Sequence, residues 1–169
     1  MEALKQDKFI SLISNEVIYK SVFELIEEEN TYGIAELIKQ PFSKVYEAIE
    51  MSEEDMFKVI QLFTGVEFED LLNENANKVI RFIKWLLNQI KLCIDLLNSI
   101  PQTNNTDIKS AGINELDIFG EFNIYYSITK NPNEWESIGN LPFELIFTKL
   151  KMDGVNAVIN ERYNEILKN

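Results

Sequence analysis

Residues 77–101, NKVIRFIKWLLNQIKLCIDLLNSIP, form a nearly continuous run of large apolar side chains in the middle of the chain. The polar residues within the run recur at intervals of three and four, which is the spacing of one face of an α-helix. The pattern therefore predicts a single helix over about 76–100, with a narrow polar stripe and apolar side chains on its other faces. The stripe consists of Asn77, Arg81, Lys84, Asn88, Lys91, Asp95 and Asn98.

The charges in this run argue against a membrane-spanning helix. They belong to Lys78, Arg81, Lys84, Lys91 and Asp95, and a charge at the centre of a bilayer costs about 2.5 to 3.5 kcal/mol on insertion scales. We therefore expect the helix to lie at the centre of a bundle, where only its polar stripe meets water. Burying each of its large apolar side chains there contributes roughly 1.5 to 3 kcal/mol.

The rest of the chain also favours helices, so the predicted fold class is all-α, a multi-helix bundle in one domain over residues 1–169. Proline, glycine and short polar residues delimit these helices. The first predicted helix is QPFSKVYEAIEM, with Pro41 in its first turn. The second is MSEEDMFKVIQLFTGV, with Ser52 as N-cap, Asp55 in its first turn and Gly65 after its end. The others are FEDLLN, NEVIYKSVFELIEEEN, YGIAELIK, LPFELIFTKLKM and DGVNAVINERYNEIL.

The segment PQTNNTDIKS, residues 101–110, combines proline, amides and hydroxyls, and we predict an exposed loop that divides the amino and carboxyl halves. The sequence after it, residues 113–128, fits both a strand-like alternation and a helical spacing. We predict helix, because a lone hairpin beside many helices would be marginal. A small β element near 116–128 is the alternative. QPFSKVYEAIEM and LPFELIFTKLKM both begin with a proline followed by phenylalanine. Because unrelated helices often start with proline, we favour two independent helices over a duplicated unit.

Composition limits the chemistry. The chain has 28 acidic and 16 basic residues, a formal charge of −12, which repels nucleic acid and anionic membranes. It has no histidine and one cysteine, Cys93, so a histidine-assisted nucleophile and an internal disulfide are both excluded. Phosphate-binding, zinc-protease and nucleophile-elbow motifs are absent from the sequence. We predict no catalytic residue, no cofactor and no metal site, and expect Cys93 to pack as a small apolar residue.

Binding to proteins is better represented than catalysis. Tryptophan and tyrosine are favoured interface anchors because they bury a large area at little entropic cost. Trp135 stands in NPNEWESIG, a segment rich in turn residues, and Trp85 lies within the long helix. The candidate protein-interface anchors are Trp85, Trp135 and Phe143, although a structural role at the edge of a core is the commoner use of such residues.

Three stretches carry a resemblance that spans residues 22 to 167. They are TGVEFEDLL (64–72), AGINELDIFG (111–120) and WESIGNLPFELIF (135–147). With them, this acidic helical chain resembles small structural or assembly proteins from the head and tail gene clusters of tailed bacteriophages, such as tail assembly chaperones and head–tail ring or connector proteins of phages of Bacteroides-type hosts. The resemblance implies a non-enzymatic protein in the virion or host cytoplasm that binds other virion or tail proteins, often as ring copies or another homo-oligomer.

Two other hypotheses remain open at the sequence level. An acidic nucleic-acid mimic that blocks a host defence or DNA-binding protein would use the carboxylates of Glu27, Glu28, Glu53 and Glu54. A helical enzyme that uses carboxylates and a divalent metal would need two or more carboxylates converging on a cleft, which runs of adjacent residues on a helix do not provide. No secretory signal precedes the first helix, so we expect an intracellular setting.

Overall fold

The structure is a computed structural model that describes residues 8–14, 16–51, 55–103 and 113–168. The all-α prediction is confirmed, since the described residues form helices and two isolated β-bridges. Short 3₁₀ helices cover Leu37–Lys39, Ile113–Phe119 and Pro132–Glu134. The α-helices are α1 (Phe9–Ile13), α2 (Glu16–Leu25), α3 (Phe42–Met51), α4 (Met56–Thr64), α5 (Phe68–Asn73), α6 (Ala76–Asn98), α7 (Glu121–Ile128), α8 (Trp135–Gly139) and α9 (Phe143–Lys168).

The contacts within the chain divide it into two compact units. Unit 1 comprises residues 1–36 and 47–92, and unit 2 comprises residues 37–46 and 93–169. Two of the three boundaries fall inside helices, because α3 and α6 each contribute residues to both units, and the third precedes the 3₁₀ helix that begins at Leu37. None of these boundaries lies at 101–110, and the role of that segment as a loop between two halves stays a prediction. Residues 101–103 are irregular, and the rest of that predicted loop lies outside the described residues.

Helix α6 contributes buried apolar residues to unit 1. The predicted long helix is present as α6, and its residues Val79, Ile80, Phe82 and Leu86 are fully buried. Helix α1 packs against α2 and α5, and α4 packs against α5. An aromatic row joins these short helices, with ring centroids 6.0 Å apart for Phe9 and Phe57 and 5.0 Å apart for Phe57 and Phe68.

The polar stripe of α6 contacts protein as well as water. Lys84 Nζ donates hydrogen bonds to the carbonyls of Ile26 at 2.8 Å, Phe23 at 3.1 Å and Glu24 at 3.4 Å, all at the carboxyl end of α2. These carbonyls have no partner within α2, and a cation also interacts favourably with the negative end of a helix. In unit 1 the polar stripe, which the sequence predicts to be the face that meets water, therefore also bonds to the backbone at the end of α2.

Unit 2 brings together the two proline–phenylalanine helix starts. The Phe42 amide donates to the Leu141 carbonyl at 2.8 Å, and the Phe143 amide donates to the Gln40 carbonyl at 2.9 Å. Each helix start thus satisfies an amide that has no partner in its own first turn. The rings of Phe42 and Phe143 are buried and stacked, 5.8 Å apart. The repeated sequence pattern therefore reflects a reciprocal pairing of α3 and α9.

Two predicted helix starts differ in the structure. Asp55 is the N-cap of α4, since its side chain accepts a hydrogen bond from the Lys58 amide at 3.3 Å, so it does not lie in the first turn. Ser52 lies outside the described residues. Gly65 ends α4 in the left-handed conformation, as predicted, with φ of 70°. Pro41 directly precedes α3, and its carbonyl accepts the first helical hydrogen bond, from Val45 at 3.1 Å.

Three predicted helices differ in the structure. The helix predicted over YGIAELIK is reduced to the 3₁₀ turn Leu37–Lys39, because the Asn30 side chain bonds both the amide and the carbonyl of Ile34 and holds the preceding residues as a loop. The two helices predicted over LPFELIFTKLKM and DGVNAVINERYNEIL are one helix, α9. A Cβ on Gly154 would lie 2.5 Å from the Pro101 carbonyl oxygen, so this glycine permits close packing within unit 2 and does not break the helix.

The helical prediction for residues 113–128 is confirmed by the turn Ile113–Phe119 and by α7, and no strand forms in the described part of this segment. Among the helices that the structure describes, none combines enough length with enough apolar sequence for a membrane span.

Candidate partner-binding groove

An apolar groove lies along one face of α7 in unit 2. Phe119, Phe122, Asn123 and Tyr126 follow the spacing that places side chains on the same face of a helix. The groove, called here the aromatic groove, has a volume of about 620 Å³ and is lined by Leu116, Phe119, Phe122, Asn123, Tyr126 and Trp135. None of these lining side chains carries a charge, so the groove suits apolar and aromatic groups.

The sequence before α7 explains how its lining residues come together. Gly120 joins the 3₁₀ helix Ile113–Phe119 to α7 with φ of 49°. Residues that carry a Cβ rarely adopt a positive φ, so a glycine is favoured at this turn. The turn allows Phe119, at the end of one helix, and Phe122, in the first turn of the next, to line the same groove.

A hydrogen-bonded turn after α7 supports the far wall of the groove. The Thr129 hydroxyl donates to Glu134 at 2.8 Å, and the Asn131 side-chain amide donates to the same carboxylate at 3.0 Å. These hydrogen bonds hold the pKa of Glu134 below its usual value, and the bond from Thr129 has the larger effect. The Asn131 side chain also accepts from the Asn133 amide at 3.2 Å and so begins the turn Pro132–Glu134.

This turn positions Trp135. Its indole nitrogen donates to the Thr129 carbonyl at 3.3 Å, and its ring centroid lies 5.7 Å from that of Phe122. At the same end of α7, the Lys130 ammonium lies 3.6 Å from the centroid of the Tyr126 ring, within cation–π range. The aromatic walls are therefore held in place from outside the groove, which lowers the entropy cost of binding a partner.

Helix α7 presents its aromatic residues to solvent on one side and buries one on the other. Phe119, Phe122 and Tyr126 are 53, 50 and 51 % exposed. Tyr125 is buried, its ring packs edge-on against Phe42 at 6.1 Å, and its hydroxyl donates to Glu121 at 2.7 Å. Burial raises the pKa of Tyr125 well above its usual value. The exposed aromatic residues are thus supported by a packed residue of the same helix.

The structure separates the three predicted interface anchors. Trp135 lines the aromatic groove. Trp85 belongs to unit 1, where it is partly buried and stacked on Phe82 at 5.6 Å. Phe143 is fully buried, because its ring packs against Phe42 and lies 6.5 Å from Phe147, so it stabilises the core of unit 2 and is not accessible to a partner.

Sequence reasoning missed most of the groove. Leu116, Phe119, Phe122 and Tyr126 share a helical spacing that the sequence shows, and this spacing favours helix over strand without indicating which side of the helix is covered. Which side of α7 is covered depends on Phe42, which is distant in sequence and covers Tyr125.

Two observations on the described residues concern nucleophiles and metal ligands. Cys93 is buried, and burial raises the pKa of its thiol to about 12, so the reactive thiolate is scarce at neutral pH. Within the described residues, no group of three or more cysteine, aspartate or glutamate side chains is placed to hold a metal ion.

The first acidic run takes part in the structure of unit 1. The Glu28 carboxylate accepts a hydrogen bond from Asn88, and the Glu29 carboxylate pairs with Arg81. The Glu29 amide also donates to the Arg81 carbonyl at 3.2 Å. Glu27 is exposed, while Glu53 and Glu54 lie outside the described residues. The nucleic-acid mimic therefore stays a prediction, and a charge reversal at Glu28 would also disturb the packing of unit 1.

No protein-family model, no curated protein and no solved structure matches this chain.

Proposed function

We propose that this chain is a non-enzymatic structural or assembly protein of a tailed-phage virion, and that it binds another virion or tail protein through the aromatic groove. The observation that supports this proposal is a set of half-exposed aromatic side chains on α7, held by packing and hydrogen bonds inside unit 2. Exposed aromatic clusters of this kind are typical of protein interfaces.

The groove fits a protein segment better than a charged metabolite. Its lining carries no charge and is mostly apolar, with the Asn123 amide as a polar group, and the Lys130 ammonium lies over the Tyr126 ring. A charged metabolite would need several polar groups that converge on it. An apolar side chain from another protein needs only the aromatic walls, and the Asn123 amide can bond to the backbone beside it.

The assignment to tailed phages comes from the sequence resemblance in residues 22 to 167. Proteins of the resembled class work at the head–tail connector or ring, or during tail assembly, by binding other proteins. The resemblance thus supplies the class of partner, and the groove supplies the surface on which that partner would dock.

The proposal is tested with the proteins encoded beside this gene. Each is purified, and its binding to the full-length chain is measured by biolayer interferometry. We expect at least one portal, connector or tail protein to bind, and the double substitution Phe122→Ser with Tyr126→Ser to weaken binding by at least about tenfold, since interface hot spots contribute 2 kcal/mol or more.

Leu25→Ser is the matched control, because Leu25 is an 80 % exposed apolar residue of unit 1, outside the groove. Circular dichroism checks that each variant is folded. If no neighbouring gene encodes a virion protein, or if none of the encoded proteins binds, the assignment to tailed phages is wrong. Binding that survives the double substitution would show that the groove is not the docking surface.

A further inference from the structure

The outer face of α9 carries a stripe of exposed apolar residues. Seven large apolar side chains of this helix are between 41 and 71 % exposed, and all of them except Leu167 lie on one face. The stripe, called here the α9 stripe, comprises Leu145, Met152, Val155, Ile159, Tyr163 and Ile166. A set of this size on one surface helix is more than isolated exposed residues account for.

The other side of α9 packs on unit 2. Phe143 and Ile146 are buried, and the half-buried residues that follow recur at intervals of three and four. They are Phe147, Leu150, Gly154, Val158 and Glu161. The close approach of Gly154 to Ile100 and Pro101 fixes this side of the helix against the rest of the unit. The α9 stripe therefore faces away from unit 2 along the helix.

Five of the six residues of the α9 stripe follow the heptad repeat of a coiled coil, and Tyr163 lies in a neighbouring e position. Leu145, Met152, Ile159 and Ile166 are spaced seven residues apart and occupy the a positions. Thr148, Val155 and Arg162 occupy the d positions between them. Five of these seven positions are apolar, and the repeat runs through three heptads, about the length at which such a pattern becomes informative.

Charge indicates what covers the stripe. Helix α9 contains four basic residues, Lys149, Lys151, Arg162 and Lys168, and four acidic residues, Glu144, Asp153, Glu161 and Glu165, so its own formal charge is zero. The whole charge of −12 is therefore carried by the rest of the chain. Two copies of an acidic protein repel each other over most of their surfaces. An apolar face on the one long neutral helix is where a second copy can approach.

Arg162 selects the direction of the pairing. A parallel coiled coil places each d residue opposite the same residue of the other helix, so two Arg162 side chains would meet in the apolar seam. An antiparallel pair can place Val155 opposite Ile159 of the second copy, and Met152 opposite Arg162 of the second copy. The arginine stem can lie along the methionine while its guanidinium reaches solvent, and the opposed helix dipoles attract.

We infer that α9 pairs with α9 of a second copy of this chain, as an antiparallel two-stranded coiled coil closed by the α9 stripes. The pairing has two-fold symmetry, since the same surface is used on both copies. It uses a different face from the aromatic groove, so it does not depend on the proposed function.

The first test is the mass of the full-length chain, measured by sedimentation equilibrium. We expect twice the chain mass of 19.7 kDa. The double substitution Val155→Glu with Ile159→Glu should give the single-chain mass, with an unchanged circular dichroism spectrum. The control Asn160→Glu with Asn164→Glu adds the same charge to exposed positions of α9 outside the stripe and should leave the dimer intact.

The direction is tested by disulfide formation under mild oxidation. We expect a mixture of V155C and I159C chains to cross-link readily and V155C alone to cross-link slowly. Rapid cross-linking of V155C alone would overturn the antiparallel arrangement. The pairing would be overturned by a monomeric wild-type chain or by a dimer that survives the two glutamate substitutions. It would also be overturned by a monomer whose α9 stripe instead binds phosphatidylcholine vesicles or the partner of the aromatic groove. Loss of groove binding in an intact dimer would affect only the proposed function.

Discussion

Cys93 shows how one buried residue links stability to pH. Burial raises the pKa of its thiol from 9.0 to about 12, so the unfolded state loses its proton first as pH rises. The stabilisation from the neutral buried thiol is fully present below about pH 9 and is lost as pH rises towards 12. We expect the urea midpoint to fall between pH 8.5 and 10.5, and a chromogenic disulfide reagent to label Cys93 only as the chain unfolds.

Cys93→Ala separates the thiol from other groups that titrate in the same range. Burial also raises the pKa of Tyr32, to about 12, and that of Tyr125, so part of the alkaline loss of stability should remain in this variant. A wild-type midpoint that does not change over this pH range, or fast labelling of the native thiol, would contradict the burial argument.

At the scale of the element, the end of α2 depends on a side chain from α6. Lys84 donates to the carbonyls of Phe23, Glu24 and Ile26, and its ammonium lies 5.7 Å from the Phe23 ring centroid. Hydrogen bonds to a charged group contribute roughly 1.5 to 3 kcal/mol. We expect Lys84→Met to lower the free energy of unfolding by an amount in that range, as measured by urea denaturation.

The loss of stability in Lys84→Met should appear locally, at the end of α2, as well as in the free energy of unfolding of the whole chain. The Ile26 amide donates to the Val22 carbonyl at 3.0 Å, and its hydrogen exchange should accelerate when the carbonyls after it lose their cation. Lys91→Met is the matched control, because Lys91 is an exposed residue of the same helix in unit 1. Equal stabilities for the two variants would show that the contact at the end of α2 contributes little.

At the scale of the whole molecule, the two units share helices α3 and α6. Opening either unit would expose apolar residues on a helix that continues into the other, so we expect the units to unfold together. The chain has two tryptophans, Trp85 in unit 1 and Trp135 in unit 2. W135F therefore leaves Trp85 as the fluorescent reporter for unit 1, and W85F leaves Trp135 as the reporter for unit 2.

The measurement is urea unfolding of each variant, followed by tryptophan fluorescence and by far-ultraviolet circular dichroism. In each variant the two signals should give the same midpoint, because circular dichroism reports on helices of both units. Comparing the signals within one variant removes the effect of the substitution on stability. Separate midpoints would mean that the units are independent, and would contradict the sequence prediction of one domain.

The amino-acid sequence by itself determined the fold class and most helices. The three-and-four spacing of polar residues identified α6, and the intrinsic preferences of Gly65 and Pro41 identified the end of α4 and the start of α3. These features depend on contacts within a few residues, for which local spacing is sufficient. The same spacing predicted helix for residues 113–128, which the structure confirms.

Only the tertiary structure decided which faces are covered. Two helices are predicted over residues 141–152 and 153–167, yet they form the single helix α9, in which Gly154 lies against the backbone of Pro101. The sequence suggests Phe143 as a surface anchor, but Phe42, about a hundred residues earlier in the chain, covers it in the structure. The aromatic groove and the α9 stripe are likewise what remains exposed after distant segments have packed. Burial is a property of long-range contacts, and short-range sequence patterns do not specify which segments meet.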